Sequence, residues 1–208
     1  MKKLLMIILV AISLNLYSQK VDTIIVEKAY TSHFSSAIKQ PLFVTYTLFH
    51  YAGGCDRKGM DFVSDSIIKT AKDKDYKKSG YDKGHLVPAE DMASDCSKML
   101  STFKYTNCIP QSPKLNRGKW AQMEEEIRKM SYLDSIQILT GGSGYNKMIG
   151  DSVYVADKCW KMVKNLKTGK ILKMVILTNS EEEIVERTFV NFMQFEKAIG
   201  YKIAEFVK

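Results

Sequence analysis

The chain has 208 residues, 45% of them hydrophobic and 26% charged, an ordinary globular composition with neither a repeat nor a low-complexity tract. Lys and Arg number 31 against 23 Asp and Glu, a formal charge of +8. A surface of that sign suits nucleic acid or anionic lipid, or is a lysine-rich solvated shell.

Residues 1–18, "MKKLLMIILVAISLNLYS", place two lysines before an apolar run from Leu4 to Leu14 and a short polar stretch. That is the pattern of a secretory signal peptide, with an apolar core too short to span a bilayer comfortably. Cleavage is expected after Ser18, and no Cys follows the run to carry a lipid anchor. The expected product is a secreted or periplasmic protein of residues 19–208, with no membrane partner. Loss of the two leader lysines leaves +6. About 190 residues suffice for one domain with a substantial core.

"VDTIIVEK" (21–28) and "PLFVTYTLFHY" (41–51) are β-branched or aromatic and predict strands. "AGGCDRKG" breaks regularity, and the Lys-rich residues 61–80 predict a surface loop with at most one helical turn. "TFKYTNCI" (102–109) predicts a strand stopped by Pro110. Over residues 116–133, Trp120, Met123, Ile127 and Met130 recur at helical spacing, with Glu124, Glu125, Arg128 and Lys129 on the other face. "SIQILTGG" (135–142) predicts a strand running into a glycine turn. Residues 152–166 and 170–180 predict a hairpin around Lys167–Thr168–Gly169, and "FVNFMQFEKAIG" a last helix closed by Gly200. This mixture, without regular βαβ alternation, argues for an α+β fold with a largely antiparallel sheet.

Cys55, Cys96, Cys108 and Cys159 include no CxxC pair, so zinc ligation has no sequence support. In an oxidising compartment an even count predicts two disulfides, with every pairing of the four cysteines left open; free buried thiols are the alternative. His33 and His50 sit in apolar-flanked stretches and read as structural. His85 lies in "YDKGHLVPAEDM" and is followed by Asn107, Gln111, Asn116, Glu124 and Arg128 in "YTNCIPQSPKLNRGKWAQMEEEIR". Cleaving a phosphodiester with water needs a base, which neutral imidazole supplies near pH 7. It needs a cation against the developing charge, and donors such as Arg on the phosphate. An Asn carbonyl is a hard oxygen ligand suited to Mg²⁺, which keeps most of its waters. On one straight helix Asn116 and Glu124 would be ~12 Å apart, so Glu124 is expected to hold a water of the ion rather than the ion itself.

"DKGHLVPAEDM" resembles the "DRGHLAPAADM" signature of the DNA/RNA non-specific endonucleases, the endonuclease G-like ββα-metal nucleases, and "TNCIPQ" with "LNRGKW..ME" resembles that family's second block. Looser likenesses in "LFVTYTL", "DRKGMDF" and "FEKAIGYKI" extend the match over most of residues 28–203. The resemblance implies a central, mostly antiparallel sheet flanked by helices, with a ββα-metal active-site motif. It implies His85 as general base, Asn116 as the direct Mg²⁺ ligand (Mn²⁺ a possible substitute) and Glu124 orienting the waters. Arg57 would stabilise the transition state, with Lys58 close enough in spacing to compete. Lys83, Asn107, Gln111, Arg117 and Arg128 would serve the substrate side, Asn107 and Gln111 by positioning the loop and metal shell. Asp82 would place the motif. The substrates implied are DNA and RNA, single- or double-stranded, gripped through phosphate and cut to leave 5′-phosphates. Two departures stand out: Lys83 replaces the family's arginine and loses its bidentate fork, and Glu90 replaces a small residue. Both leave open a weakened or inactive nucleic-acid-binding relative; a phosphodiesterase for small or lipid substrates is a third reading.

Overall fold

The structure, a computed structural model, describes residues 20–49 and 53–207, so the expected leader and His50 lie outside it. In chain order the strands and helices are β1 (Thr23–Val26), β2 (Thr31–Ser35), β3 (Gln40–Leu48), α1 (Asp73–Tyr76), β4 (Asp82–His85), α2 (Cys96–Ser101) and β5 (Cys108–Gln111). Then come α3 (Ala121–Met130), β6 (Ile136–Ile149), β7 (Val153–Asn165), β8 (Ile171–Thr178), β9 (Glu186–Thr188) and α4 (Phe192–Ile199). Seven strands pair antiparallel in the order β1-β2-β3-β6-β7-β8-β9, and β4 pairs antiparallel with β5 in a separate ribbon. The α+β architecture, a large antiparallel sheet with flanking helices, is the one expected. Among the described residues no helix is long and apolar enough to cross a membrane.

Period-two alternation sends each strand's side chains to two cores. From β7, Trp160 and Met162 pack with Phe195 and Ile199 of α4. Cys159 and Val163 face the other way, toward Leu86, Trp120, Met123 and Ile127. The sheet is therefore the floor on which the β4–β5 ribbon and α3 rest, with α4 beneath it. Helix α4 ends as predicted: Gly200 adopts φ +86°, the left-handed conformation a helix stop favours.

Several boundaries differ from the sequence reading. Strand β2 was not anticipated. Pro110 does not stop the strand before it: residues 105–107 form a 3-10 turn and β5 runs through Pro110. A two-stranded ribbon tolerates a missing N–H on its outer edge, and Asn179 Nδ2 donates to the Pro110 carbonyl at 2.9 Å. The glycines after "SIQILT" make no turn, because β6 continues to Ile149. A Cβ on Gly141 would fall 2.2 Å from the Leu42 carbonyl oxygen, so glycine there permits a close approach of β3. The helix over 116–133 is not straight: Leu115–Trp120 is a π-type segment, with Gly118 at φ −112°, ψ −109°, leading into α3. Finally, only Cys55–Cys96 is bonded; Cys108 and Cys159 are buried thiols. Cys108 donates to Tyr76 Oη at 3.4 Å, and burial pushes both thiols up to about 12.

Candidate active site

Strand β4, the turn that follows it and the kinked helix surround a cavity of about 330 Å³. Arg57, Lys83, His85, Glu90, Asn116, Glu124 and Arg128 all line it, together with Phe62 and Ala121. A wider cleft of about 450 Å³, between β1–β3 and Glu205–Phe206, contains none of the expected site residues. The only expected histidine in it is His33, whose ring stacks on Phe43 at 4.2 Å in a structural setting.

His85 ends β4, its backbone paired with Cys108. Its ring lies between Phe62 (centroids 4.5 Å apart) and Phe103 (4.8 Å, edge-on). Nε2 is buried and has no hydrogen-bond partner among the described residues. Burial, aided by the Arg57 guanidinium, pulls the imidazole pKa down to about 3. The ring is therefore neutral at pH 7, and Nε2 can accept a proton.

Asn116 is oriented by its own amide: Nδ2 donates to Asp82 Oδ2 at 2.9 Å, so the carboxamide oxygen is the end that could ligate an ion. Asp82 also accepts from Arg117 Nε at 2.8 Å and Nη2 at 2.6 Å. Burial would raise the Asp82 carboxyl, but these bonds outweigh it and hold it below the ordinary value. Arg117 is thus placed differently from expectation. It does not line the cavity, and its exposed guanidinium bonds Asp82 beside the motif.

Glu124 faces the cavity from α3. Its Oε1 is buried without a hydrogen bond, and burial pushes the carboxyl up to about 7 against the pull of Lys161. The Lys161 ammonium lies 3.4 Å from Oε1. One turn on, Arg128 Nη1 donates to the buried Asp91 at 2.9 Å, and Tyr46 Oη donates to the same carboxylate at 2.8 Å. The guanidinium is held at the wall by that carboxylate. Neither Lys161 nor Asp91 was singled out from sequence. The signal for Lys161 was its parity with Cys159 and Val163 on a buried strand face.

Arg57 lines the cavity and Lys58 is not among its walls. The Arg57 loop is fastened by Cys55, through its disulfide to Cys96 and through its N–H to the Ala93 carbonyl at 2.8 Å. Arg57 Cζ stands 5.7 Å from the Phe103 ring centre. Lys83 reaches the cavity but is held by Asp61 at 3.0 Å and by Asp73.

Asn107 and Gln111 are fully buried and do not line the cavity, a placement in keeping with the positioning part expected of them rather than with contact to substrate. Asn107 Oδ1 accepts from Val87 N–H at 2.8 Å, and Nδ2 donates to the Val87 and Thr102 carbonyls at 3.0 Å. It staples the chain just beyond His85. Asn107→Ala leaves three buried backbone groups unpaired, each costing about 1–3 kcal/mol. A loss of at least about 2 kcal/mol in urea unfolding is expected, and an unchanged midpoint would contradict the staple. Gln111 lies against Gly84: a Cβ there would fall 2.2 Å from Gln111 Oε1, so glycine is required for the side chain to pack.

These residues fit a divalent ion that keeps its waters. Among the described residues no group of three or more His, Cys, Asp or Glu could cage a metal. What the cavity offers is one oriented carboxamide oxygen, the buried His85 Nε2 that no donor satisfies among the described residues, and the carboxylate of Glu124, whose Oε1 lies 3.4 Å from the Lys161 ammonium. A hydrated Mg²⁺ is the cation such a donor set suits.

The sequence model of a family described as DNA/RNA non-specific endonuclease matches residues 12–208. A nuclease of Nostoc sp. is 34% identical over 90 residues, 42% of this chain and 33% of its own. Human mitochondrial endonuclease G is 34% identical over 94 residues, 43% of this chain and 31% of its own. Mouse mitochondrial nuclease EXOG is 26% identical over 185 residues, 84% of this chain and 50% of its own. The matched stretches thus span a third to a half of these relatives. A solved complex of EndoG with its inhibitor EndoGI has the same fold, with a TM-score of 0.74 at 21% identity, over 86% of this chain and 84% of that one.

Proposed function

Because the chain belongs to the DNA/RNA non-specific endonuclease family, we propose that it is an exported, Mg²⁺-dependent endonuclease that hydrolyses phosphodiester bonds of both DNA and RNA. The observation that carries this reading is the convergence on one cavity of the unsatisfied His85 Nε2, the oriented Asn116 carboxamide and the Glu124 carboxylate, under Arg57 and Arg128.

The residues divide the work by chemistry. A substrate phosphate would seat against Arg57 and Arg128, whose guanidinium groups match phosphate geometry. His85 Nε2, neutral at pH 7 and unbonded, would take the proton of the attacking water. The bond to phosphorus would form from that water as the bond to O3′ breaks, and the departing O3′ would take a proton from a second water, giving a 3′-hydroxyl and a 5′-phosphate. Asn116 would hold the ion, and Glu124 would accept hydrogen bonds from its water shell. When bound, Mg²⁺ neutralises charge developing on the phosphoryl and leaving oxygens. None of these groups reads a base edge, so recognition through phosphate serves DNA and RNA alike. Export rests on the leader pattern of residues 1–18, and the Cys55–Cys96 bond suits an oxidising compartment.

A non-catalytic nucleic-acid binder is the second reading, favoured by the two carboxylates that occupy Lys83 and by Glu90 on the wall. Digestion of plasmid DNA and RNA separates the two. Cleavage of both is expected with Mg²⁺ or Mn²⁺, none in excess EDTA, and the DNA ends should ligate without kinase treatment. Retardation of DNA without cleavage would establish the binder, and cleavage in EDTA would remove the metal from the reading.

A further inference from the structure

Strand β7 carries a lysine where its surroundings call for an apolar side chain. Lys161 is fully buried, on the strand face that Cys159 and Val163 present to the core. Burying an ammonium is costly unless charge and hydrogen bonds offset it. Methionine would fill the same volume without that cost. The contacts that retain the charge are specific. Nζ donates to the Leu86 carbonyl at 3.0 Å, lies 4.4 Å over the Trp120 ring, and stands 3.4 Å from Glu124 Oε1.

Each contact belongs to a different piece of the site. Leu86 follows His85 directly. Trp120 closes the kinked segment that carries Asn116. Glu124 is the α3 carboxylate. One buried cation therefore ties the base's strand to the helix, from the sheet beneath both. The Glu124 oxygen nearest Lys161 is the buried one, so the exposed part of the side chain presents the other oxygen to the cavity. We propose that Lys161 is a positioning residue for the reaction, holding the Glu124 carboxylate toward the ion's water shell and fixing its distance from His85. This rests on the endonuclease reading above.

The test is a double-mutant cycle of Lys161→Met and Glu124→Gln, with Lys158→Met, an exposed lysine of the same strand, as control. Three readouts are taken: plasmid cleavage against Mg²⁺ concentration, Mn²⁺ binding by electron paramagnetic resonance without substrate, and thermal melting. Lys161→Met should raise the half-activating Mg²⁺ concentration by ~10–100-fold, the usual cost of losing a partner outside the ligand shell. Mn²⁺ affinity should fall in parallel. In the Glu124→Gln background the same change should add less than about twofold, because its partner is already gone. A melting-point loss with wild-type Mn²⁺ affinity and Mg²⁺ curve would overturn the proposal. A full additional loss in the Glu124→Gln background would do the same, by showing that Lys161 acts independently of Glu124. Should Lys161→Met not fold, the charge-neutral double variant compared with Glu124→Gln decides by the same criterion. Wild-type protein that cleaves nothing with Mg²⁺ would instead overturn the endonuclease reading itself.

Discussion

His85→Ala is expected to cut turnover by at least ~10², the contribution a positioned general base typically makes. The backbone pairing of residue 85 with Cys108 survives the change, and no hydrogen bond from Nε2 is lost. The fold should hold, with a modest fall in melting temperature from the space opened between Phe62 and Phe103. DNA retention should be unchanged, because Arg57 and Arg128 remain on the cavity wall. Single-turnover cleavage, melting and gel retardation check the three statements separately. Near-wild-type cleavage would remove His85 from the role of base.

Asn116→Ala is expected to be as damaging by a different route. It removes the only carboxamide oxygen that the described residues bring to the cavity wall and one of the donors to Asp82. Rate and metal affinity should both collapse, beyond the ~10–100-fold that a partner outside the ligand shell costs. Glu124→Gln should fall within that range and recover partly in excess Mg²⁺. Glu125→Gln is the control: its exposed carboxylate pairs only with Lys129 at 2.8 Å in the described structure. Cleavage against Mg²⁺ concentration for the three variants is decisive. If Glu124→Gln follows the Glu125→Gln curve, or if Asn116→Ala is rescued by added metal, the division between ligand and water-holder is wrong.

The division follows in the sequence from the premise of a straight helix, on which residues 116 and 124 stand too far apart to share an ion. The structure replaces the premise with a π-type segment kinked at Gly118, and both side chains still line one cavity. What orients Asn116 is not helix geometry but a hydrogen bond to Asp82, 34 residues earlier in the chain. Arg117 shows the same limit from the other side. As an exposed arginine beside the ligand it reads as a phosphate binder, yet Asp82 is close enough to take both Nε and Nη2.

The sequence by itself determined the fold class, the strands at 21–28 and 41–51 in outline, the α3 stripe, the stop at Gly200 and the cluster of residues around His85. These are local properties. Apolar spacing reports which side of an element is buried, and a densely spaced run of Asp, His, Asn and Glu announces chemistry before any contact is known. Only the tertiary structure decided what lies opposite each buried face. It brought Lys161 under Glu124 and set Asp91 against Arg128. It carried Asn179 to the Pro110 carbonyl, and it left Cys108 and Cys159 unbonded. Each depends on residues 20 or more positions apart meeting across a sheet or ribbon. Strand parity names the face a side chain points to but not its partner there, which is set by how the sheet, ribbon and helix pack.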